Sequence, residues 1–236
     1  MNHKNNNPEG WSGWNQWIID DLNKSGLTVY NFSIEPLTSK IELTDRLGFT
    51  HIDEQSIFEV GGYWIPYPKF SGYYRLKLKR PIETEDGTAK YLSPSKKKGF
   101  GNKPYIPFVV EEALKNYSPD KPVFITEGEK KAAKATIEGF PCIGLSGVWN
   151  YIDSESDFLE ELGKFRWKDR KVYIIFDSDM TEKLGVRRAE IRLGIELMNR
   201  GATVFSVRLP NEPDGEKNGL DDFLVRYSSE AFRELI

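Results

Sequence analysis

The run Val172-Tyr-Ile-Ile-Phe176 is apolar at nearly every position. A strand with one wet face alternates apolar and polar residues, whereas a run without alternation belongs to a parallel sheet covered on both faces. The surrounding sequence supplies the covering elements. Val123–Ile125 reads as a short strand, Glu129–Glu138 as a helix ended by Gly139, and Cys142–Leu145 as a second strand. Leu159–Phe165 is helical, Lys183–Asn199 is a long helix ended by Gly201, and Ala202–Leu209 is a further strand. Asp221–Tyr227 starts a last helix. Strands alternating with helices at this spacing give an α/β fold with a parallel sheet.

Upstream the periods differ. Residues 1–10 are polar, rich in Asn, and read as a frayed tail. Trp11–Lys24 has apolar residues at helical spacing, with Ser12 as a candidate cap, and Pro36–Gly48 reads as a second short helix. Between Glu59 and Lys79 the period becomes two. Tyr63, Ile65 and Tyr67 precede a turn at Lys69–Gly72, and Tyr74, Leu76 and Leu78 then alternate with Arg75, Lys77 and Lys79. This predicts a β-hairpin with one apolar and one basic face. Pro81–Pro104 is turn-rich, and Glu111–Asn116 is a short helix. The boundaries expected are therefore a tail at 1–10, a small basic α+β subdomain at 11–118 and an α/β domain at 119–236.

Net charge is −3, yet residues 66–104 carry 10 basic and 3 acidic side chains. A local field of that kind guides a polyanion while the whole protein stays acidic. Arg75, Lys77, Lys79, Arg80, Lys90, Tyr91, Lys96, Lys97 and Lys98 are the candidate nucleic-acid-binding residues, with tyrosines interleaved where bases stack. An ordinary solvated face is the plainer alternative. No apolar run approaches a membrane span and no apolar signal segment opens the chain, so a cytoplasmic protein without membrane contact is expected. With one cysteine, Cys142, and two histidines, a four-ligand zinc site within the chain is excluded. Cys142 reads as a buried small hydrophobe. Any metal would be held by carboxylates, which suit magnesium or manganese.

Three acids fall at strand ends, where open α/β sheets meet their ligands. Glu127 follows the first strand of the α/β region, and Asp177 and Asp179 follow the most apolar one. Along extended chain, residues two apart point the same way, so Asp177 and Asp179 would share one metal or hold two neighbouring ones. Gly128 lets the chain turn and a phosphate approach, and the helix starting at Glu129 aims free N–H groups at the same place. Asp221 and Asp222, after the loop Asp214–Gly219, either cap a helix or support the metal. Strand-end acids that only cap helices are the structural alternative for the whole set.

Phe124-Ile-Thr-Glu-Gly-Glu129 followed by Phe176-Asp-Ser-Asp179 resembles the Toprim domain of primases, topoisomerases and some nucleases. The strings Glu127–Ala132, Gly147–Asn150 and Gly219–Leu224 are similar to a Toprim-like family of plasmid and phage replication proteins. Ile65–Tyr67, Gly72, Arg75 and Lys90–Pro94 are similar to the segment preceding that fold in bacterial-type primases. The resemblance implies a Rossmann-like, Toprim-like sheet preceded by a basic subdomain. It makes Glu127, Asp177 and Asp179 catalytic and metal-binding with one or two Mg²⁺ or Mn²⁺ ions, supported by Asp221 and Asp222. Gly128, Glu129, Lys130 and Lys131 would bind phosphate or nucleotide. The implied activity is primase-like nucleotidyl transfer on a single-stranded DNA template with nucleoside triphosphates, beside a replicative helicase or a fused helicase domain. A nuclease using the same acids and a non-catalytic nucleic-acid-binding module are the alternatives. Two departures from primases stand out. Lys131 occupies the position where they usually carry Asp, and no N-terminal zinc module is encoded in this sequence.

Overall fold

A computed structural model describes residues 15–48, 53–84, 87–95, 101–115, 120–153, 155, 157–178, 183–212 and 214–236. The tail at 1–10, the Ser12 cap, Lys96–Lys98 and Asp179 lie outside the described residues. Helix α1 (Gln16–Lys24) starts later than the apolar spacing suggests, because Asn15 is extended and its side chain caps the helix by accepting from the Trp17 N–H. A two-residue strand β1 (Glu35–Pro36) comes next, so Pro36 is extended and helix α2 (Ile41–Leu47) occupies only the second half of the expected span. Helix α3 (Glu54–Val60), capped by Asp53, was not legible from spacing.

Strands β2 (Gly62–Pro66) and β3 (Tyr74–Thr84) form the expected hairpin. The segment beyond it corrects the turn-rich reading. β3 continues through Pro81, and β4 (Gly87–Leu92) pairs back on it, with a register shift between Lys77 and Ile82 that accommodates the proline. The four strands form an antiparallel sheet in the order β1-β2-β3-β4. Trp64, Leu76, Leu78 and Leu92 on one face pack against Leu43, Leu47, Ile57 and Val60 of α2 and α3.

Helix α4 (Phe108–Lys115) leads to the second sheet, which is parallel. It holds β5 (Val123–Glu127), β6 (Cys142–Leu145), β7 (Lys171–Ile175) and β8 (Thr203–Val207) in the order β6-β5-β7-β8. Helices α5 (Glu129–Ile137) and α8 (Leu220–Arg233) contribute to the cluster that contains Phe124, Cys142 and Ile175. On the other face Val123, Ile125, Val172 and Ile174 join Leu162 of α6 (Glu160–Gly163) and Leu193 and Leu197 of α7 (Leu184–Asn199). Burial on both faces is what the apolar run at 172–176 demanded. Tyr105 exchanges backbone hydrogen bonds of 2.7 and 2.9 Å with Gly144, so the connecting segment covers the β6 edge. The cluster around Phe124 also includes Ile18 and Leu22 of α1 and Tyr63 and Ile65 of β2, so one core runs through both sheets.

Candidate active site

The strand order places the ligand crevice. β6 lies on one side of β5 and β7 on the other, so the chain reverses its direction of travel at the β5–β7 pair. Such a switch point opens a cleft outside the carboxyl ends of the two strands. Glu127 ends β5, and Asp177 stands two residues beyond β7. Gly128 turns the chain into α5 with φ +103°, a conformation that favours glycine.

Asp177 is 8% exposed. Its two oxygens are taken by two ammonium groups. Lys131 of α5 donates to Oδ1, and Lys217 donates to Oδ2 at 2.9 Å. Burial opposes ionisation of this carboxyl, but the two lysines outweigh it and hold its pKa below the ordinary range. Ser178 and Asn218 exchange two hydrogen bonds, Ser178 N–H to Asn218 O at 3.0 Å and Asn218 N–H to Ser178 Oγ at 2.8 Å. These bonds tie the loop carrying Lys217 to the strand exit.

Asp221 and Asp222 open α8 beside this group. Asp222, third residue of the helix, accepts from the N–H of the capping Gly219 at 3.2 Å, whereas the simpler sequence reading put the cap at Asp221. Its pKa is raised, by burial first and then by the negative charge of Asp221, with Asp177 adding to it. Among the described residues Asp221 Oδ1 is buried without a hydrogen-bond partner, and so are both polar atoms of the Asn218 side chain. Asp222 thus feels Asp221, Asp177 and Lys131 at once, and carboxylate oxygen is the donor chemistry a hard divalent cation takes. In that respect the residues fit magnesium or manganese. As folded, however, Asp177 gives its seats to lysine. Among the described residues no three of His, Cys, Asp and Glu stand together as a metal group. The strand period puts Glu127 on the Ile125 side of the sheet, whereas the contacts of Asp177 lie on the α5 side.

Glu129 and Arg75, expected to meet ligand, meet each other. Glu129 is 1% exposed and Arg75 7%. Glu129 Oε1 accepts from Arg75 Nη1 and, at 2.6 Å, from the Tyr67 hydroxyl, while Arg75 Nε donates to Ser93 Oγ at 2.9 Å. Burial, reinforced by the Glu129 charge, pushes the Tyr67 phenol well above its ordinary range, so it stays a donor. Lys130 likewise turns to α1, donating to Asp21 Oδ2 at 3.0 Å beside the Tyr63 hydroxyl. The face of β3 expected to be basic and open is therefore the face turned toward the parallel sheet.

Lys77 is half-buried, and its pKa is lowered by burial first and then by the positive charges of Lys130, Lys90 and Lys24, against the pull of Asp21. Arg75 and Lys77 lie over the Tyr91 ring at 5.0 and 5.1 Å. The Tyr91 phenol is pushed far up by burial, with Glu129, Asp21 and Asp221 also contributing. Tyr91 thus lies under two basic side chains and within electrostatic reach of Asp221. Lys79, Arg80 and Lys90 are exposed. Lys217, Asn218 and Asp21 were not singled out in the sequence. The loop Asp214–Gly219 has no period to read, although its place just before Asp221 was a usable signal.

These features define a mixed α/β protein with a primase-like fold. The crystal structure of the Aquifex aeolicus primase, comprising its zinc-binding and RNA polymerase domains, matches 94% of this chain and 55% of that one with a TM-score of 0.52 at 18% identity. An uncharacterised protein of Picosynechococcus sp. is 29% identical over 126 residues, which are 48% of this chain and 12% of that protein. The chain belongs to the family described as domain of unknown function DUF3854, whose profile matches residues 114–231. No helix among the described residues is long and apolar enough to cross a membrane.

Proposed function

We propose that this chain is a primase-like replication protein that joins nucleotides on a single-stranded DNA template. In this reading residues 119–236 are a Toprim-like catalytic unit and residues 11–118 a primase-like subdomain that guides the template. One observation carries it: Asp177 at the switch point holds two lysines, and Tyr91, which lies under Arg75 and Lys77 of the antiparallel sheet, is near enough to feel the charge of Asp221. Phosphates need both partners, cations to hold them and carboxylates to manage the reacting oxygens.

Lys131 and Lys217 provide positive charge beside Asp177 for the triphosphate of an incoming nucleotide. Lys77, Lys79, Arg80 and Lys90 track the template phosphates, and Tyr91 lies under Lys77 beside them. The N–H groups at the start of α5, after Gly128, face a phosphate at the strand ends. Magnesium or manganese, held by Asp177 and Asp179 with Glu127, Asp221 and Asp222 as further candidates, would supply activation of the primer 3′-hydroxyl and charge neutralisation at the leaving pyrophosphate. A replicative helicase, separate or fused, is the partner such an activity calls for.

The test is primer synthesis on single-stranded templates with ribo- or deoxynucleotides in the presence of Mg²⁺ or Mn²⁺. Product that disappears in the double variant Asp177→Ala/Asp179→Ala supports the reading. No product, or product unchanged in the double variant, overturns it. A second reading, a non-catalytic nucleic-acid-binding module, is favoured by the occupation of both Asp177 oxygens by lysine. It predicts strand binding that survives the same double substitution without synthesis.

A further inference from the structure

We propose that Lys131 is a built-in cation that competes with divalent metal for Asp177. The inference rests on the reading of Asp177 as the metal-facing carboxylate. The two ammonium groups on Asp177 are not equivalent. The Lys217 side chain is 58% exposed and reaches in from a loop, so it leaves the carboxylate readily. The Lys131 side chain is 19% exposed and comes from the first turns of α5, a rigid element anchored by Ala132, Ala133 and Ala135 in the core. Lys131 therefore stays where a divalent ion must arrive.

Its path is built into the backbone. A Cβ added at Gly219 would lie 2.8 Å from Lys131 Cε, so the lysine stem passes through space that only glycine leaves open. The same Cβ would lie 3.0 Å from Asp221 Oδ1 and 3.0 Å from Asp222 Oδ2, which places the lysine among all three acids. Asp221 is 6% exposed and its Oδ1 has no hydrogen-bond partner among the described residues, so the site retains an unmatched carboxylate oxygen even with Lys131 in place. A lone acidic cluster would shed its repulsion by taking up a cation. This one has been given part of that charge as a side chain, and a second positive charge entering beside the ammonium is repelled by it.

The experiment is calorimetric titration with Mn²⁺, paired with thermal melting with and without the ion, on wild type, Lys131→Met, Gly219→Ala and Lys131→Met/Asp177→Asn. Losing a like charge a few ångströms from the ion is expected to tighten Mn²⁺ binding in Lys131→Met on the order of tenfold. The melting midpoint of that variant then rises with Mn²⁺ more than the wild type's. Gly219→Ala, which needs no positive φ, presses hardest on the lysine tip at 2.8 Å but also on the two carboxylate oxygens at 3.0 Å, so a smaller gain in the same direction is expected; it stands in if Lys131→Met fails to fold. Adding Asp177→Asn abolishes the gain. Equal, Asp177-dependent uptake by wild type and both single variants overturns the competition while leaving the metal reading of the site intact. No Mn²⁺ uptake by any of them overturns both. Tighter binding that persists in Lys131→Met/Asp177→Asn also overturns the proposal, since the ion would then be elsewhere.

Discussion

Glu129 shows how one residue changes meaning between sequence and structure. It follows Gly128 at the mouth of the cleft, and its neighbours in the chain suggest phosphate chemistry. Its carboxylate is instead sealed between the two sheets, on Arg75 and the Tyr67 hydroxyl. Two buried charges of this kind contribute little net stability as a pair, but removing one strands the other in a low-dielectric interior. Glu129→Ala is therefore expected to lower the free energy of unfolding by about 3–5 kcal/mol, read from urea transitions. The double variant Glu129→Leu/Arg75→Met is expected to recover much of that loss, because neither charge is then left unpaired. A loss below about 1 kcal/mol in the single variant, or losses that simply add in the double, would mean that the pair does not hold the sheets together.

At the scale of elements, the turn from β5 into α5 is fixed by close approach to β6. Gly144 lies under that turn. A Cβ there would be 2.7 Å from the Gly128 carbonyl oxygen and 3.1 Å from Ala132 Cβ. Backbone cannot swing aside as a lysine tip can, so Gly144→Ala should force β6 and α5 apart. The expected loss is about 1–3 kcal/mol, typical of overpacking, and a chain of this size loses roughly 2–4 °C of melting temperature per kcal/mol. Gly163→Ala is the control: nothing lies within 4 Å of its added Cβ, so its melting curve should stay near the wild type's. Elements of this parallel sheet were legible because two-sided burial writes itself as apolar runs, as at Val172–Phe176, and because glycines end the helices. The antiparallel sheet was harder. β4 carries Gly-Thr-Ala-Lys-Tyr-Leu, whose exposed outer half hides the strand, and the bulge that admits Pro81 has no sequence period. Alternation along β3 identified a face bearing Arg75 and Lys77 but did not say what would cover it. At the site, Asp177 was readable from its place after a strand. Its partnership with Lys217 depends on a loop folding back across 40 residues of chain, which no local pattern records.

For the whole molecule, the decisive feature is that an acidic protein turns the basic face of β3, with Arg75 and Lys77, inward toward the parallel sheet. The core containing Phe124 draws residues from α1, the antiparallel sheet and the parallel sheet, so packing holds the two sheets together around that basic face. Around it the lysines differ in availability. Lys130 is committed to Asp21, and Arg75 to Glu129. Lys77 and Lys90 are near enough to feel one another, and the pKa of Lys77 is lowered in part by that proximity after burial. Two ammonium groups that repel each other gain by sharing a phosphate backbone. Single-strand binding should therefore weaken in Lys77→Ala/Lys90→Ala. The slope of log affinity against log salt should become shallower by about 0.7 for each phosphate that is no longer neutralised, hence by roughly 1.4 if each lysine neutralises one. Fluorescence anisotropy with a labelled oligonucleotide across a salt series measures both. An unchanged slope in this variant would place the strand elsewhere, whereas a shallower slope with synthesis on a bound primer still intact would assign the two lysines to template guidance and leave the chemistry to the Asp177 rim.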